Sequence, residues 1–391
     1  MLSSRLLGVI LSGVVLAGCG SLGSPTHSTA GAAEPANQPL APMPGSAPRG
    51  FQAVDLTWIS SSQGWALGVE PGCGGQRCAT ILETTDGGRQ WVTVSDLHGC
   101  LAEAAPVGCP AGLPEVSAIR FANPDVGYAF TADGGPYLVT ANGGLSWTSP
   151  PGQLASAVKL AAGTAVRVSF SKEGCPGPCD WSVDVASVGQ SSWRSVLRPP
   201  MAVNHAGVVL LHQGPEYLYV AFLGDPASGP GSQPAQLFVS SDAGASWAGL
   251  ADPCSVSTPA YISTLFSAAP GGVLAALCVP RSGKGRDAVT VSTDAGATFG
   301  PLRPLPHAGA PYSELALTSP QDLFAAVGGT LLVTSRDSGR KWRVLLRERS
   351  GSGPVPQFLG FESPTVGRWL GAGSELWTTS DGGSSWRALR F

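Results

Sequence analysis

Residues 84–91 read TTDGGRQW, and five variants of this stretch recur along the chain. The variants are TANGGLSW at 140–147, SSDAGASW at 240–247, STDAGATF at 292–299, SRDSGRKW at 335–342 and TSDGGSSW at 379–386. Every copy starts with a hydroxyl residue, has an acidic or amide residue third and a glycine fifth, and ends in an aromatic residue. A pattern that returns roughly every 50 residues is typical of a repeat architecture.

The chemistry of the first copy predicts a self-contained turn. The Asp86 carboxylate can accept hydrogen bonds from the backbone N–H groups that follow it and from a threonine hydroxyl. Gly88 can take a positive φ angle, and Trp91 can fold back over the turn as an apolar plug. In the second copy Asn142 keeps the acceptor oxygen and loses the charge, which a turn tolerates and an acid catalyst does not. The repeat is therefore expected to be structural rather than catalytic.

The spacing of the copies predicts the number of units. The interval between Trp147 and Trp247 is about twice the usual step, and halfway along it lies ASVGQSSW at 186–193. This degenerate copy keeps Trp193 but has Val188 and Gln190 at the positions of the aspartate and the glycine. Short apolar runs precede each turn, with no helical period between them. The prediction is an all-β fold, a seven-bladed β-propeller with four-stranded antiparallel blades, with six blades as the alternative.

The pattern S/T-x-D-x-G-x-x-W resembles the Asp-box, or BNR repeat, of the sialidase-like propeller superfamily. GWALG at 64–68 followed by TTDGGRQW is most similar to the photosystem II stability and assembly factor branch. The resemblance implies that the repeats lie away from any active site. The residues that it assigns to the structural Asp-boxes are Asp86, Asn142, Asp242, Asp294, Asp337 and Asp381, with the aromatic residues Trp91, Trp147, Trp247, Phe299, Trp342 and Trp386.

The first residues have the features of an export signal. In MLSSRLLGVILSGVVLAGC, at 1–19, one basic residue precedes an apolar run at 6–17 that is too short to span a bilayer. The ending LAGC resembles the bacterial lipobox, in which the cysteine, here Cys19, becomes the first mature residue and carries lipid on its sulfur. An ordinary secretory signal is the alternative. We therefore predict an exported protein that is lipid-anchored to the outer face of the bacterial cytoplasmic membrane.

The composition after the signal changes twice. Residues 20–50 are rich in Pro, Ala, Ser and Gly and have no strand or helix period, so they are predicted to form a disordered tether. Such a tether has a mean reach of roughly 30 Å as a flexible coil. The turns and short apolar runs then continue to the end of the chain. A single propeller domain is expected over 51–391.

Charge and histidine content limit the partners. The chain has 23 basic and 26 acidic residues and no evident basic run, so nucleic acid is not expected to bind. The histidines are scattered singly and have no metal-ligand spacing. They are His27, His98, His205, His212 and His307. Neither a metal site nor a cofactor is expected.

The eight cysteines beyond Cys19 are expected to form disulfide bonds, because the protein is predicted to be exported. Eight cysteines allow 105 connectivities, and neighbours in one loop close most readily. The pairs expected on this basis are Cys73 with Cys78, Cys100 with Cys109, Cys175 with Cys179, and Cys254 with Cys278. All lie in connections on the face opposite the repeated turns, as does the insertion GDPASGPGSQPAQ at 224–236. Long stapled loops on a rigid scaffold favour a binding face, although they can also simply stiffen an exported protein.

Two functions follow from these patterns. The first is a non-enzymatic binding or assembly module for a protein or glycan. The second is a divergent glycoside hydrolase of the sialidase type, which requires an arginine cluster, a tyrosine nucleophile with a glutamate, and an acid/base aspartate. The chain has no segment like the FRIP motif of that family. Arg120, Arg167, Tyr312 and Glu314 are its only candidate residues, and nothing in the sequence links them.

Overall fold

The computed structural model describes residues 45–70, 78–101, 114–131, 134–161, 163–170, 180–198, 205–213, 217–224, 235–255, 261–281, 285–306, 311–348, 358–372 and 375–391. Cys19 and most of the predicted tether lie outside the described residues, as do Cys73, Cys109, Cys175 and Cys179. The described residues form strands and turns and contain no helix. No segment among them is a helix able to cross a membrane.

Seven small antiparallel sheets form a seven-bladed β-propeller, which confirms the predicted fold class. In each blade the chain runs from the first strand, which is innermost, to the fourth, which is outermost. Blade 1 has the strands Gln52–Trp58, Gly64–Val69, Cys78–Thr84 and Val92–Leu101; blade 2 has Ala118–Phe121, Gly127–Phe130 and Leu138–Thr140. Blade 3 has Ala157–Ala161, Thr164–Phe170, Trp181–Ser187 and Arg194–Leu197; blade 4 has His205–Gln213, Tyr217–Gly224, Gln236–Ser240 and Ala248–Leu250; blade 5 has Tyr261–Ala269, Val273–Pro280, Ala288–Ser292 and Arg303–Pro304. Blade 6 has Tyr312–Leu317, Leu323–Val327, Leu331–Ser335 and Arg343–Arg347; blade 7 has Phe358–Phe361, Gly367–Leu370, Leu376–Thr379 and Arg387–Leu389.

Blades 1 and 2 depart from the regular four strands. The fourth strand of blade 2 is reduced to a single bridge between Val139 and Thr148. In blade 1 the fourth strand also pairs with two short strands, Gly45–Ser46 and Glu115–Val116. A further two-residue ribbon joins Gly135–Pro136 to Leu154–Ala155.

The hydrophobic core lies between neighbouring blades. The second strands are the most buried, and every residue of Gly64–Val69 is buried. Trp65 of blade 1 stacks on Phe121 of blade 2 with ring centroids 3.9 Å apart, and Phe121 also meets Trp147 edge-on. Stacked sheets with apolar residues on both faces exclude water from each junction, so each blade depends on its neighbours for stability.

The repeated turns all lie on one face of the propeller. Each joins a third strand to a fourth, and in blades 1, 2, 5, 6 and 7 it bonds to the turn that joins the first two strands of the same blade. Gly87 N donates to Ser62 O and Gly143 N to Asp125 O, each at 2.8 Å, and blades 5, 6 and 7 have equivalent bonds. We call this side the turn face. The second-to-third connections and the connections between blades lie on the opposite side, the loop face.

Among the described strands, blades 1 and 7 exchange none where the ring closes. Arg368 of blade 7, only 2% exposed, donates to Ser61 O at 2.8 Å and to Gly87 O at 3.1 Å in blade 1. Its guanidinium lies 3.4 Å from the centre of the Trp58 ring. Phe391, the last residue of the chain, packs against Trp91 with a centroid distance of 5.0 Å. The buried Arg368 guanidinium and a cluster of aromatic side chains thus join blade 7 to blade 1.

Candidate functional site

The repeated turn has the same hydrogen-bond pattern in the regular copies, except that the blade 5 copy ends in Phe299, which has no ring N–H. In blade 1, Thr84 Oγ1 donates to Asp86 Oδ1 and accepts from Gly88 N, both at 2.9 Å. Asp86 Oδ1 also accepts from Arg89 N and Gln90 N at 2.9 Å. Trp91 Nε1 donates to Gly88 O at 3.1 Å, and Gly88 has a φ of 89°, which favours glycine. Each recurring residue of the motif therefore has a partner inside its own turn.

The turn carboxylates are held in their charged form. Hydrogen bonds from the side chain and backbone of Ser246 lower the pKa of Asp242 to about 2. The Thr298 bonds do the same for Asp294, and the Ser385 bonds do so for Asp381. These carboxylates stand on separate blades, each bonded within its own turn. They do not converge on a common point, so they cannot act together as a general acid and base.

The degenerate turn of blade 3 is held by blade 2. Gly189 N donates to the Tyr128 hydroxyl at 2.9 Å. Trp193 Nε1 donates to the Tyr137 hydroxyl at 2.9 Å instead of to a carbonyl of its own turn. Tyr128 lies on the second strand of blade 2 and Tyr137 directly precedes the third strand of that blade, so contacts with the adjacent blade support this turn.

Arg167 is part of the same network. It lies on the second strand of blade 3, 7% exposed, and its Nε is 3.0 Å from Asp184 Oδ2. Its Nη1 donates to Gln153 Oε1 at 2.8 Å, and its guanidinium lies 4.4 Å from the centre of the Trp193 ring. Arg167 therefore connects the second strand of blade 3 to the degenerate turn of the same blade. The Asp184 carboxylate neutralises the charge of the Arg167 guanidinium.

Arg120 and Tyr312, two other residues considered for catalysis, are also engaged with protein groups. Arg120 lies on the first strand of blade 2, and its Nη1 is 2.6 Å from Asp55 Oδ2. The same carboxylate oxygen accepts from Ile119 N at 2.8 Å. The Tyr312 hydroxyl donates to Pro306 O at 2.7 Å, and burial raises the pKa of Tyr312. These contacts fix Arg120 and Tyr312 within the fold.

Two ionisable side chains in the central channel have no such partner. Lys159 lies on the first strand of blade 3, and Glu314 on the first strand of blade 6. Neither makes a hydrogen bond, or an ion pair within 4.0 Å, with the described part of the chain. Burial lowers the pKa of Lys159 to about 7 and raises that of Glu314 to about 8, and the charges of Arg120 and Asp55 act on both. Among the described residues, the channel thus holds a cluster of two acids and two bases from four blades.

Glu314 and Arg120 were predicted from the sequence as candidate residues, but Lys159 was not. Lys159 is the one charged residue in AVKLA at 157–161, an otherwise apolar innermost strand, and this pattern could have identified it. No group of three or more His, Cys, Asp and Glu residues that could hold a metal ion occurs in the part of the chain that the structure describes.

The loop face contains a disulfide bond between Cys254 and Cys278, which is the pairing expected from the sequence. Their Cα atoms are 5.5 Å apart, and the bond joins the end of blade 4 to the second strand of blade 5. Asp252 supports the same connection, because its carboxylate accepts from Cys254 N and Ala235 N, each at 3.0 Å. Cys100 is also disulfide-bonded, but the predicted partner, Cys109, lies outside the described residues.

Two grooves lie between blades on the turn face. The larger, about 460 Å³, lies between blades 7 and 1 and is lined by Arg89, Arg387, Arg368 and several hydroxyl groups. The smaller, about 310 Å³, lies between blades 2 and 3 beside the degenerate turn.

Comparisons with solved structures agree on the fold. The chain is similar to YCF48 bound to a D1 peptide, with 18% sequence identity, a TM-score of 0.52, and coverage of 84% of this chain and 93% of that one. It is also similar to YCF48 from Cyanidioschyzon merolae, with 16% identity, a TM-score of 0.52, and coverage of 88% and 99%. An ancestral GH74 enzyme matches with 13% identity and a TM-score of 0.55, covering 87% of this chain and 46% of that one. No family model and no curated protein matches the sequence. At these identities the similarity establishes a shared β-propeller fold.

Proposed function

We propose that the chain is a lipid-anchored, extracytoplasmic β-propeller whose repeats are Asp-boxes and whose loop face binds a partner protein without catalysing a reaction. The observation that carries the proposal is that the turn aspartates and two arginines of the inner strands are bonded to groups of the scaffold itself. The turn aspartates bond to their own turns, and Arg120 and Arg167 bond to Asp55 and Asp184. These residues maintain a rigid scaffold, which is a suitable base for binding loops.

The organisation of the loop face supports binding on that side. The second-to-third connections of blades 3 and 4, at 171–180 and 225–235, are longer than first-to-second connections of the turn face such as 59–63 and 122–126. The Cys254–Cys278 bond and the Asp252 contacts fix one of the loop-face connections between blades. A loop that is ordered before binding loses less entropy when its partner docks. The similar YCF48 structure is described as bound to a peptide, which favours a protein as the partner.

The predicted lipobox supports the proposed location. LAGC at 16–19 and the Pro-rich segment that follows it are typical of a lipoprotein with a folded domain beyond a tether. Mass spectrometry of the membrane-extracted protein should find an acylated Cys19 as the first residue. A soluble mature protein that begins at another residue would contradict the anchor.

Site-specific photo-cross-linking in cells tests the binding face. A photoreactive residue replaces Arg286, an exposed residue between the second and third strands of blade 5, or Ala297, an exposed residue in the turn of the same blade. The two positions report on opposite faces of one blade. We expect a discrete protein adduct from position 286 and none from position 297. An adduct from position 297 alone would mean that the turn face, and not the loop face, binds the partner. Release of a glycan from the 286 adduct would mean that the partner is a glycan instead of a protein.

A divergent glycoside hydrolase is the second candidate, and the unpaired Lys159 and Glu314 in the channel favour it. A carboxyl group with a pKa of about 8 keeps its proton at neutral pH, as a general acid requires. Purified protein is assayed against fluorogenic glycosides, sialosides included, beside the Glu314→Gln variant. Turnover by the wild-type protein that Glu314→Gln abolishes would establish this alternative. The proposed function predicts no turnover by either protein.

A further inference from the structure

Basic residues are distributed unevenly among the repeated turns. Blades 1, 6 and 7 have arginine or lysine at the two positions before the aromatic residue or at the one after it. These residues, which we call the basic arc, are Arg89, Arg340, Lys341, Arg343 and Arg387. The same three positions in blades 2, 4 and 5 are occupied by uncharged residues, among them Leu145, Ala245 and Thr298. The turn forms equally well with either set, so its geometry does not require the positive charge.

The basic arc is exposed and available to a partner. All five side chains are exposed, and none makes a side-chain hydrogen bond or an ion pair with the described residues. Two nearby arginines differ in this respect, because Arg336 lies 3.0 Å from Asp322 and Arg390 lies 3.8 Å from Glu375. The only acidic groups within the three turns are Asp86, Asp337 and Asp381, whose carboxylates accept hydrogen bonds from their own turns.

The groove between blades 7 and 1 lies within the basic arc. Arg89 and Arg387 line it from the two blades, together with the hydroxyl residues Ser61, Ser380 and Ser385. Asp86 also lines the groove, and its carboxylate is hydrogen-bonded within its own turn. Guanidinium and hydroxyl groups are the donors that phosphate oxygens accept, and arginine can bind a phosphate through two parallel hydrogen bonds. A volume of about 460 Å³ can accommodate a phosphate headgroup.

The N-terminal segment enters the propeller beside the same residues. Gly45 and Ser46 pair with Thr93 and Val92 on the outer strand of blade 1, and Ala47 N donates to Trp91 O at 3.1 Å. Arg89 lies only two residues before Trp91. A chain anchored at Cys19 would therefore reach the propeller at the basic arc. The tether predicted from the sequence would have a mean reach of roughly 30 Å.

We propose that the basic arc docks the propeller on the anionic phospholipid surface of the membrane, an inference that rests on the proposed lipid anchor at Cys19. Positive side chains gain energy at an anionic bilayer within about one Debye length, roughly 8–10 Å, so the short tether and the arc act together. In this orientation blades 6, 7 and 1 face the bilayer. The loop face is then left accessible to a partner.

Vesicle flotation tests the docking separately from the anchor. Residues 41–391, which form one compact unit, are mixed with vesicles of phosphatidylcholine alone or of phosphatidylcholine with phosphatidylglycerol. We expect binding only to the phosphatidylglycerol vesicles, and weaker binding as the salt rises from about 0.1 to 0.5 M. Replacing Arg89, Arg340, Lys341 and Arg387 by glutamine should reduce the partition coefficient by about fivefold per charge.

Arg194 provides the matched control. It is exposed and follows Trp193 in blade 3, just as Arg387 follows Trp386 in blade 7, but no basic residue precedes it in its turn. Arg387→Gln should weaken vesicle binding about fivefold, while Arg194→Gln should leave it within twofold. Equal effects of the two variants, equal binding to uncharged vesicles, or binding to an acidic peptide without any vesicle binding would each overturn the proposal. An unmodified Cys19 in the cell would instead refute the anchor, even if flotation succeeded.

Discussion

The turns of blades 1 and 3 both end in a tryptophan, yet different contacts hold them. In blade 1 the Asp86 carboxylate and the Thr84 hydroxyl bond to backbone groups of their own turn. In blade 3 Val188 stands in place of the aspartate, and the Tyr128 hydroxyl accepts the hydrogen bond from Gly189 N. The first turn is stabilised locally and the second by its neighbour. A repeat can therefore lose its polar signature and still form a turn between the same two strands when the adjacent blade supplies hydrogen-bonding groups.

The largest expected effect comes from removing the cation that joins blade 3 to its turn. Arg167→Leu leaves the buried carboxylate of Asp184 without its ion pair and removes the contact with the Trp193 ring. Breaking a buried pair from one side typically costs about 3–5 kcal/mol. Urea denaturation should show this loss in the free energy of unfolding. A loss below about 1 kcal/mol would mean that blade 3 does not depend on this network.

The second-largest loss of stability is expected from removing the Tyr128 hydroxyl of blade 2. Tyr128→Phe keeps the buried ring but leaves Gly189 N without its acceptor. Gly189 is exposed and its hydrogen bond to the hydroxyl is partly buried, so we expect a loss of about 1–1.5 kcal/mol in the same denaturation assay. Hydrogen exchange should place the increased exposure at the turn of blade 3 and not at that of blade 2. Exchange that rises equally in both blades would contradict a specific role for the hydroxyl.

Removing the acceptor from a turn that is held by its own residues should reduce the free energy of unfolding by a smaller amount. Asp86→Ala removes hydrogen bonds to two exposed amides, which water can partly replace, so we expect a loss of about 1 kcal/mol. Asp86→Asn is the matched control, because Asn142 holds the equivalent turn of blade 2. Its loss should be smaller than that of alanine. If Asp86→Ala destabilises more than Tyr128→Phe, the local turn is the stronger of the two.

The smallest effect is expected at acid pH. There, a turn with a charged aspartate acceptor should lose exchange protection, whereas a turn with an uncharged acceptor should keep it. The pKa of Asp242 is lowered to about 2 in the folded protein, so its stabilisation is complete above its unfolded pKa and is lost as the pH falls through about 2. Exchange protection of the Ser246 amide, corrected for intrinsic rates, should drop a few-fold between pH 4 and pH 2. The Ser146 amide bonds to the uncharged Asn142 and should keep its protection, as should the Gly189 amide. A drop at all three amides would indicate global unfolding instead.

Most of the blade architecture could be predicted from the sequence, because each blade is built from consecutive residues. The degenerate copy ending at Trp193 was recognisable by its spacing, although it had lost the aspartate. Its replacement partners Tyr128 and Tyr137 could not be predicted, since nothing in their local sequence marks a hydroxyl that serves another blade. Cys254 and Cys278 could be paired because their blades are adjacent in the chain.

The candidate sites were harder to predict because they combine distant residues. Lys159 and Glu314 stand on innermost strands of blades on opposite sides of the ring. The basic arc combines Arg89 with residues near the other end of the chain, so no single stretch contains all of it. Its blade 6 portion was visible in SRDSGRKWR at 335–343, which holds four basic residues, but only ring closure places it near blade 1. Charge clustering in a circular fold therefore cannot be judged from linear runs.

The closure by Arg368 also dictates an order of events during biosynthesis. Its bonds to Gly87 and Ser61 connect residues that are 281 and 307 positions apart. Bringing such distant segments together is the slowest kind of contact to form, and domains assemble from the N-terminus as the chain emerges. Blade 1 therefore leaves the Trp58 ring and two carbonyl groups uncovered until blade 7 has arrived. A chain that stops before residue 368 cannot complete the ring, and its exposed first blade would identify it to proteases as unfinished.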